Sequence, residues 1–448
     1  MKKLIIIFLL SIPLISNSQV TFTEIPTSIL EVKSSSIDFS DIDSDGDQDL
    51  LITGSGGSSW GNTVLYENIS GIFYPISGTP FDSVGVSNGY VVFGDVDNDG
   101  DEDLLLAGDS MGQNTITKLY INDGGDFYLR PTPIFAAGNA CIVLSDMDND
   151  NYWDVLISGS TTFSNTRTEL YLNDGNGYFT AEVPNTGLID VNYPCIAVSD
   201  IDGDGYNDVL ISGDDNSGSP FSCLTKLYIN DGLLNFTEVI GTPFPDVSVR
   251  SSSNAFSDID NDGDPDLLIT GNECIGGGSF VSVLYENNGG IFTEIPGIPF
   301  VQVYGSSVAF SDVNGDGYAD VLITGEDTTA NDVSKLYIND GSGGFDELLQ
   351  DPFFGLYDGD VAFADIDNVG DNDVLLTGGN YNAKLYLNNG VNSTAITEIS
   401  IVKCEAFPNP SRGVFSVEFT SFVRQDLEVR IINSIGEIVY IDNVNNHI

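Results

Sequence analysis

Asp41-Ile42-Asp43-Ser44-Asp45-Gly46-Asp47-Gln48-Asp49 runs directly into Leu50-Leu51-Ile52-Thr53-Gly54, an acidic loop feeding a β-rich run. The nonapeptide recurs with starts at Asp95, Asp146, Asp200, Asp258, Asp312 and Asp365, 51 to 58 residues apart. Each copy follows an alternating apolar run such as Val308-Ala309-Phe310-Ser311. After the loop come a second apolar run and a Gly/Ser/Asn-rich connection. Leu-Tyr-x-Asn is next, as in Leu336-Tyr337-Ile338-Asn339, and the Leu-Tyr pair recurs at Tyr66, Tyr120, Tyr171, Tyr228, Tyr285, Tyr337 and Tyr386. Asn-Asp-Gly or Asn-Asn-Gly then supplies the positive φ that a tight hairpin needs. A fourth run, typified by Phe292-Thr293-Glu294-Ile295, ends the repeat.

Each repeat therefore reads as four short antiparallel strands, with no stretch of helical period between repeats. Units of this kind repeated radially make propeller blades, and the expected fold is all-β: a seven-bladed β-propeller. A solenoid is the alternative. Closure of the ring is favoured because the last repeat lacks a fourth strand, while Phe22-Thr23-Glu24-Ile25-Pro26 forms an orphan one at the other end. The N-terminal strand is expected to complete the last blade and remove an open sheet edge.

The spacing D-x-D-x-D-G-x-x-D has the chemistry of a calcium loop. Calcium takes six to eight hard oxygen ligands, which carboxylates at positions 1, 3, 5 and 9 and a backbone carbonyl at position 7 supply. Glycine at position 6 permits the sharp turn. The expected ligands, in loop order, are Asp41, Asp43, Asp45 and Asp49; Asp95, Asp97, Asp99 and Asp103; Asp146, Asp148, Asp150 and Asp154; and Asp200, Asp202, Asp204 and Asp208. They continue with Asp258, Asp260, Asp262 and Asp266; Asp312, Asn314, Asp316 and Asp320; and Asp365, Asp367 and Asp373. An EF-hand needs an acidic ligand at position 12, which here is Ile52, Leu106, Ile157, Ile211, Ile269, Ile323 or Leu376. Asn151 stands for glycine in the third loop and is expected to tolerate the turn. Asn314 offers a neutral oxygen in the sixth. Val369 removes a ligand from the seventh, a site expected to be weak or empty. A purely acidic surface turn is the competing reading.

The chain has 448 residues, 67 acidic against 14 Lys+Arg, a single histidine at 447 and a formal charge of −53. Phosphate recognition needs a basic patch, so nucleic acid is excluded as a partner, and an anionic membrane surface is equally unsuited. Yet 41% of residues are hydrophobic, ample for a core. The seven nonapeptides hold 31 of the acidic residues.

Residues 1–18 read as a secretory signal peptide: Lys2-Lys3, the apolar Leu4 to Leu10, and Ser16-Asn17-Ser18. Of the five cysteines, Cys141 and Cys195 lie in apolar runs as buried thiols, and Cys223 and Cys274, in Gly/Ser-rich segments, could pair in an oxidising compartment, which the sequence does not decide. No histidine falls in the repeats, so a nucleophilic triad has no base. Lys118, Lys226, Lys335 and Lys384 precede Leu-Tyr and belong to the repeat; Lys33, Arg130, Arg167 and Arg250 are individual. Trp60 and Trp153 offer sugar-stacking faces or ordinary packing. No enzyme is expected.

The strand–acidic loop–strand unit resembles the FG-GAP and VCBS repeats of the integrin α-chain propeller over about residues 20–391. Phe93-Gly94-Asp95 keeps the eponymous dipeptide; Phe39-Ser40, Phe256-Ser257, Phe310-Ser311 and Phe363-Ala364 vary it. The resemblance implies calcium in the loops between the first two strands of each blade, rigidifying it. Residues 397–448, with Phe407-Pro408-Asn409-Pro410, Gly413-Val414-Phe415 and Val429-Arg430-Ile431-Ile432-Asn433-Ser434-Ile435-Gly436, resemble the type IX secretion sorting domain of Bacteroidetes. That family continues into a further Gly-x-Tyr hairpin and a basic end, so this copy is expected to be a truncated β-sandwich-like module. The expected organisation is a signal peptide at 1–18, the propeller at 19–391, a linker at 392–396 and the sorting module at 397–448. The expected role is a secreted or cell-surface binding and adhesion module, acting as a monomer on a surface protein or a glycan, with the type IX secretion machinery as a further partner. A lectin or an accessory to polysaccharide breakdown is the alternative.

Overall fold

The computed structural model describes residues 20–391, apart from residue 58 and the short segments 111–113, 163–164, 181–182, 184–185, 216–222, 275–277 and 350–351, and it describes four strands within 401–444. The signal-peptide segment lies outside the described residues. The chain divides into two compact units, residues 20–390 and the remainder. Among the described residues there is no helix.

In the large unit each acidic nonapeptide joins the first two strands of an antiparallel meander. In the first meander Lys33–Ser40, Asp49–Gly56, Ser59–Ile69 and Ile72–Pro75 pair in chain order. Register is set by the apolar pattern: Leu50 lies opposite Phe39 and Tyr66, and Ile52 opposite Ile37 and Val64. The second strand of each meander is buried on both faces, which is why it reads as an unbroken apolar run; Leu50, Leu51 and Ile52 are wholly shielded. The third meander differs from expectation. Among the described residues it has three strands, Gly138–Ser145, Asp154–Thr162 and Asn165–Tyr171, and its last described segment is held by an Asn173–Phe179 bridge and by the N–H of Thr180 and Val183 bonding to Leu172 and Leu170.

Neighbouring meanders pack face to face. One core cluster joins Ile42, Leu51 and Leu65 of the first to Phe93, Leu104, Leu106 and Tyr120 of the second. The innermost strands contact one another in a closed order. Lys33–Ser40 touches Val86–Gly94, which touches Gly138–Ser145, then Asn192–Ser199, Val247–Ser257, Val303–Ser311 and Asp360–Ala364, which returns to Lys33–Ser40. The closing core unites Ile37, Leu50 and Tyr66 with Ile366, Leu375 and Leu385.

The N-terminal strand Val20–Ile25 lies beside Asn382–Val391 as the outermost member of the last sheet. Val20 and Phe22 are buried against Phe353, Val374 and Tyr386, and the Phe22 and Phe353 rings lie 5.0 Å apart. Its register copies the other repeats. Lys226 pairs with Glu238 at 2.8 Å and Lys335 with Glu347 at 2.9 Å across the third and fourth strands, and Lys384 pairs with Glu24 at 2.7 Å.

Cys223 and Cys274 form a disulfide with Cα atoms 6.0 Å apart, stapling the fourth meander to the fifth. Cys141 is a buried free thiol, and Cys195 is free and half-buried. The C-terminal unit contains two antiparallel pairs, Ile401–Phe407 with Ser416–Ser421 and Leu427–Ile432 with Ile438–Val444.

Candidate functional site

The acidic loops share one hydrogen-bond scheme. The carboxylate at position 1 accepts from the backbone N–H of position 5 at 3.0–3.2 Å and of position 6 at 2.8–3.1 Å in all seven loops. Two left-handed residues make this wrap possible. Position 6 is glycine or Asn151, whose φ is 68°; position 4 is also left-handed, at Ser44, Asn98, Asn149, Gly203, Asn261, Gly315 and Asn368. The requirement at position 4 is written in the sequence as Ser, Asn or Gly and escaped the sequence reading.

Carboxylates then converge. Oxygen atoms of Asp41, Asp43 and Asp45 lie within 4.8 Å of one another, as do those of Asp95, Asp97 and Asp99, and of Asp258, Asp260 and Asp262. In two loops the converging set includes position 9: Asp146, Asp148 and Asp154, and Asp200, Asp202 and Asp208. Burial, then the like charge of position 5, raises the pKa of Asp43, Asp97, Asp148 and Asp202. Such hard, mutually repelling oxygens fit a divalent cation of the calcium type. At Asp97 the charge is partly met by Arg130, whose Nη2 donates at 3.2 Å. In the sixth loop Asn314 Nδ2 donates to Asp316 at 2.9 Å. In the seventh, Val369 is 65% exposed and brings no oxygen, while Asp367 and Asp371 each hold one buried carboxylate oxygen without a hydrogen-bond partner.

Position 9 also has a structural task. Asp49, Asp103, Asp154, Asp208, Asp266, Asp320 and Asp373 are buried, and Oδ2 of each accepts from the N–H of position 2 at 2.9–3.2 Å. Oδ1 accepts at 2.7–2.9 Å from the N–H of the Leu-Tyr-x-Asn asparagine. Burial pushes these carboxyls up to about 7 at Asp49, Asp103, Asp154 and Asp320 and about 6 at Asp208, Asp266 and Asp373.

That asparagine is the residue sequence reasoning passed over. Its Nδ2 donates at 2.7–2.9 Å to the position 2 carbonyl of the preceding repeat: Asn122 to Ile42, Asn173 to Val96, Asn230 to Met147, Asn287 to Ile201, Asn339 to Ile259 and Asn388 to Val313. Asn68 completes the circuit by donating to Ile366 at 2.9 Å. Invariance within the repeat was the available signal. Position 7 has two solutions. Asp47, Asp101 and Asp264 accept from the N–H of the outer turn, and Tyr152, Tyr206 and Tyr318 lay their rings on the turn glycine instead.

Trp153, 42% exposed, packs on the inner strand of the preceding repeat: a Cβ at Gly94 would lie 2.4 Å from its ring, which accounts for glycine at this one copy. Where position 8 is Asn207 or Asn372, the amide donates to Ser145 or Ser311 at the same place, at 2.8 Å. The side chains of Trp60 and Arg250 lie outside the described residues.

A second site was not anticipated. Every inner strand but the last carries a register shift near its start. There, at the opposite end of the strands from the acidic loops, a cavity of about 560 Å3 opens. Its lining repeats with the fold: Ser34-Ser35, Asn88-Gly89, Asn139-Ala140, Tyr193-Pro194, Ser252, Tyr304-Gly305-Ser306 and Tyr357-Asp358-Gly359. Ser34, Asn88, Asn139, Tyr193 and Asp358 all hold φ between 44° and 50°, left-handed conformations that each cost about 1 kcal/mol or more.

Two residues farther along stand Ser36, Tyr90, Cys141, Cys195, Ser253, Ser307 and Asp360, each in its own inner strand. They fasten strand to strand. Ser36 Oγ accepts from Val91 N–H at 3.2 Å, Ser253 Oγ from Val308 N–H at 3.3 Å and Asp360 Oδ2 from Ile37 N–H at 3.1 Å. Asp38 does the same to Phe93 N–H at 2.8 Å. Burial raises Asp38 to about 7 and Asp360 to about 6. Both stand out in the sequence as carboxylates within otherwise uncharged inner runs.

A closed ring of antiparallel meanders with an acidic loop at the same corner of each defines a repeat protein of the β-propeller type. The chain belongs to the FG-GAP-like repeat family, matched over residues 41–106, 95–157, 146–211, 200–269 and 312–376. Residues 405–448 match the secretion system C-terminal sorting domain, which makes this a secreted or cell-surface protein. No curated protein matches the chain. Similar solved structures include an Agrocybe aegerita lectin that recognises non-reducing terminal N-acetylglucosamine (18% identity, 71% of this chain and 81% of that chain, TM-score 0.48). Others are the Aleuria aurantia lectin with a six-bladed β-propeller fold and a fucose recognition mode (9%, 72% and 96%, TM-score 0.39) and a Bacillus licheniformis rhamnogalacturonan lyase (12%, 79% and 69%, TM-score 0.37).

Proposed function

We propose that this is an exported, calcium-loaded, seven-bladed β-propeller that binds a surface ligand without transforming it. Residues 1–18 are removed on export, 19–391 form the propeller and 397–448 carry the type IX sorting signal on a small sandwich-like module. Calcium is held by the carboxylates at positions 1, 3, 5 and 9, with Asn314 supplying a neutral oxygen in the sixth loop and the seventh loop binding weakly. The observation that carries the metal is the convergence of three carboxylates in each of the first five loops. Bound there, the ion joins the end of one strand to the start of the next and rigidifies the blade. The test is thermal melting with and without a chelator: the calcium form melts higher, because a ligand held only by the native state stabilises it. Equal melting temperatures would end the reading.

Adhesion to a surface protein and binding of a glycan are the two forms such a module takes, and a polar, tyrosine-bearing cavity favours the glycan. Capture of a surface protein unaffected by competing sugar supports the first form. Lyase turnover of an acidic glycan would overturn the non-catalytic reading.

A further inference from the structure

We propose that the cavity at the start of the inner strands is a binding site for a neutral sugar of a glycan. This rests on the binding-module reading above and names its ligand class and its place.

The lining is the first argument. Ser34, Ser35 and Ser252, Asn88 and Asn139, and Tyr304 and Tyr357 line the space. Such a set offers hydrogen-bond donors, acceptors and flat apolar faces together, which is what a pyranose ring presents in return. A volume of about 560 Å3 lies within the range of small-ligand pockets.

Charge selects a neutral ligand. Asp358 is the carboxylate in the wall; Ser34 Oγ donates to it at 3.5 Å and the Lys33 ammonium stands near enough to offset it. The carboxylates one layer deeper are engaged: Asp360 accepts from the N–H of Ile37 and of Val361, and Asp38 from that of Phe93 and of Phe39. No unmatched carboxylate calls for a cation. An acidic sugar would meet Asp358 in the wall of a chain whose formal charge is −53.

Backbone conformation is the second, independent argument. Five repeats place a non-glycine residue in a left-handed conformation at the same point of the inner strand, including Tyr193 at φ 49°. Glycine there would relieve the backbone. Residues kept in such conformations cluster at ligand sites, where the side chain is what the position is for. Every repeat contributes to the walls, so a ligand seated there meets residues of the whole ring.

The experiment uses the exported chain, calcium-loaded. A panel of neutral mono-, di- and trisaccharides and of uronic-acid oligosaccharides is screened, and the strongest neutral ligand is titrated by calorimetry. Tyr357→Ala and Asn139→Gly, the latter keeping the left-handed backbone, are compared with wild type, and Trp153→Ala serves as a control away from the cavity. Neutral sugars bind, affinity falls at least tenfold in both cavity variants, and Trp153→Ala leaves it unchanged. If Tyr357→Ala lowers the melting temperature, Asn88→Gly, which also keeps the left-handed backbone, takes its place beside Asn139→Gly with the same expected loss. Undiminished affinity in the cavity variants overturns the location, and preference for uronic acids overturns the ligand class. A chain that binds no sugar yet still adheres to cell surfaces overturns this inference and leaves the binding-module reading standing. One that does neither overturns both.

Discussion

At the scale of the residue, the pair that holds each repeat is an aspartate and an asparagine some twenty positions apart. Asp103 takes the N–H of Val96 and of Asn122, and Asn122 reaches the carbonyls of Ile42 and Glu102 and accepts from Gly125. Every polar atom of the buried Asn122 side chain is matched. Replacing it with alanine strips partners from carbonyls that water cannot reach, a loss of about 2–3 kcal/mol for groups of this kind. Urea unfolding of Asn122→Ala should show that loss, and a midpoint equal to wild type would contradict the role. The aspartate was legible as a member of an acidic motif. Its second role was not, because the motif names the residue and not the backbone that folds onto it.

At the scale of the element, the N-terminal strand decides whether the ring has an open edge. Val20 and Phe22 bury apolar surface against the last meander, worth about 1.5–3 kcal/mol for each fully buried side chain. The Lys384–Glu24 pair is half-exposed and contributes under about 1 kcal/mol. Deleting residues 19–30 should therefore lower the melting temperature of the whole ring, whereas Glu24→Ala should barely move it. A large effect from Glu24→Ala with a small one from the deletion would reverse this ranking. The orphan strand and the missing fourth strand were both legible in the sequence, since apolar pattern alone matches them.

At the scale of the whole molecule, charge ties stability to pH and, on the proposed calcium-loaded reading, to the metal. Asp38 and Asp360 hold their protons up to about 7 and about 6, above the ordinary carboxylate value near 4 that they regain on unfolding. Between those limits the folded chain binds protons that the unfolded chain has released. The stability they add is fully present below about pH 4 and is lost as pH rises through about 6 to 7. In chelator the melting temperature should rise as pH falls from 8 to 5, and Asp38→Asn combined with Asp360→Asn should lessen that slope, the rest of it coming from the buried position 9 aspartates, raised to about 6 to 7 as well. With calcium bound the trend reverses, because protons then compete with the ion for its carboxylates. An identical slope in the double variant would remove these two residues from the account.

Periodicity of the acidic loop, the Leu-Tyr-x-Asn turn and the apolar runs determined strands, meanders and the convergence of carboxylates. All of these depend on residues a few positions apart, whose relation is set by local geometry. Tertiary structure alone decided the rest: the asparagine circuit from one repeat to the one before it, the seat of Trp153 on Gly94, and the cavity at the head of the inner strands. That cavity draws its walls from residues spread over more than 320 positions, and only closure of the ring brings Ser34 beside Asp358.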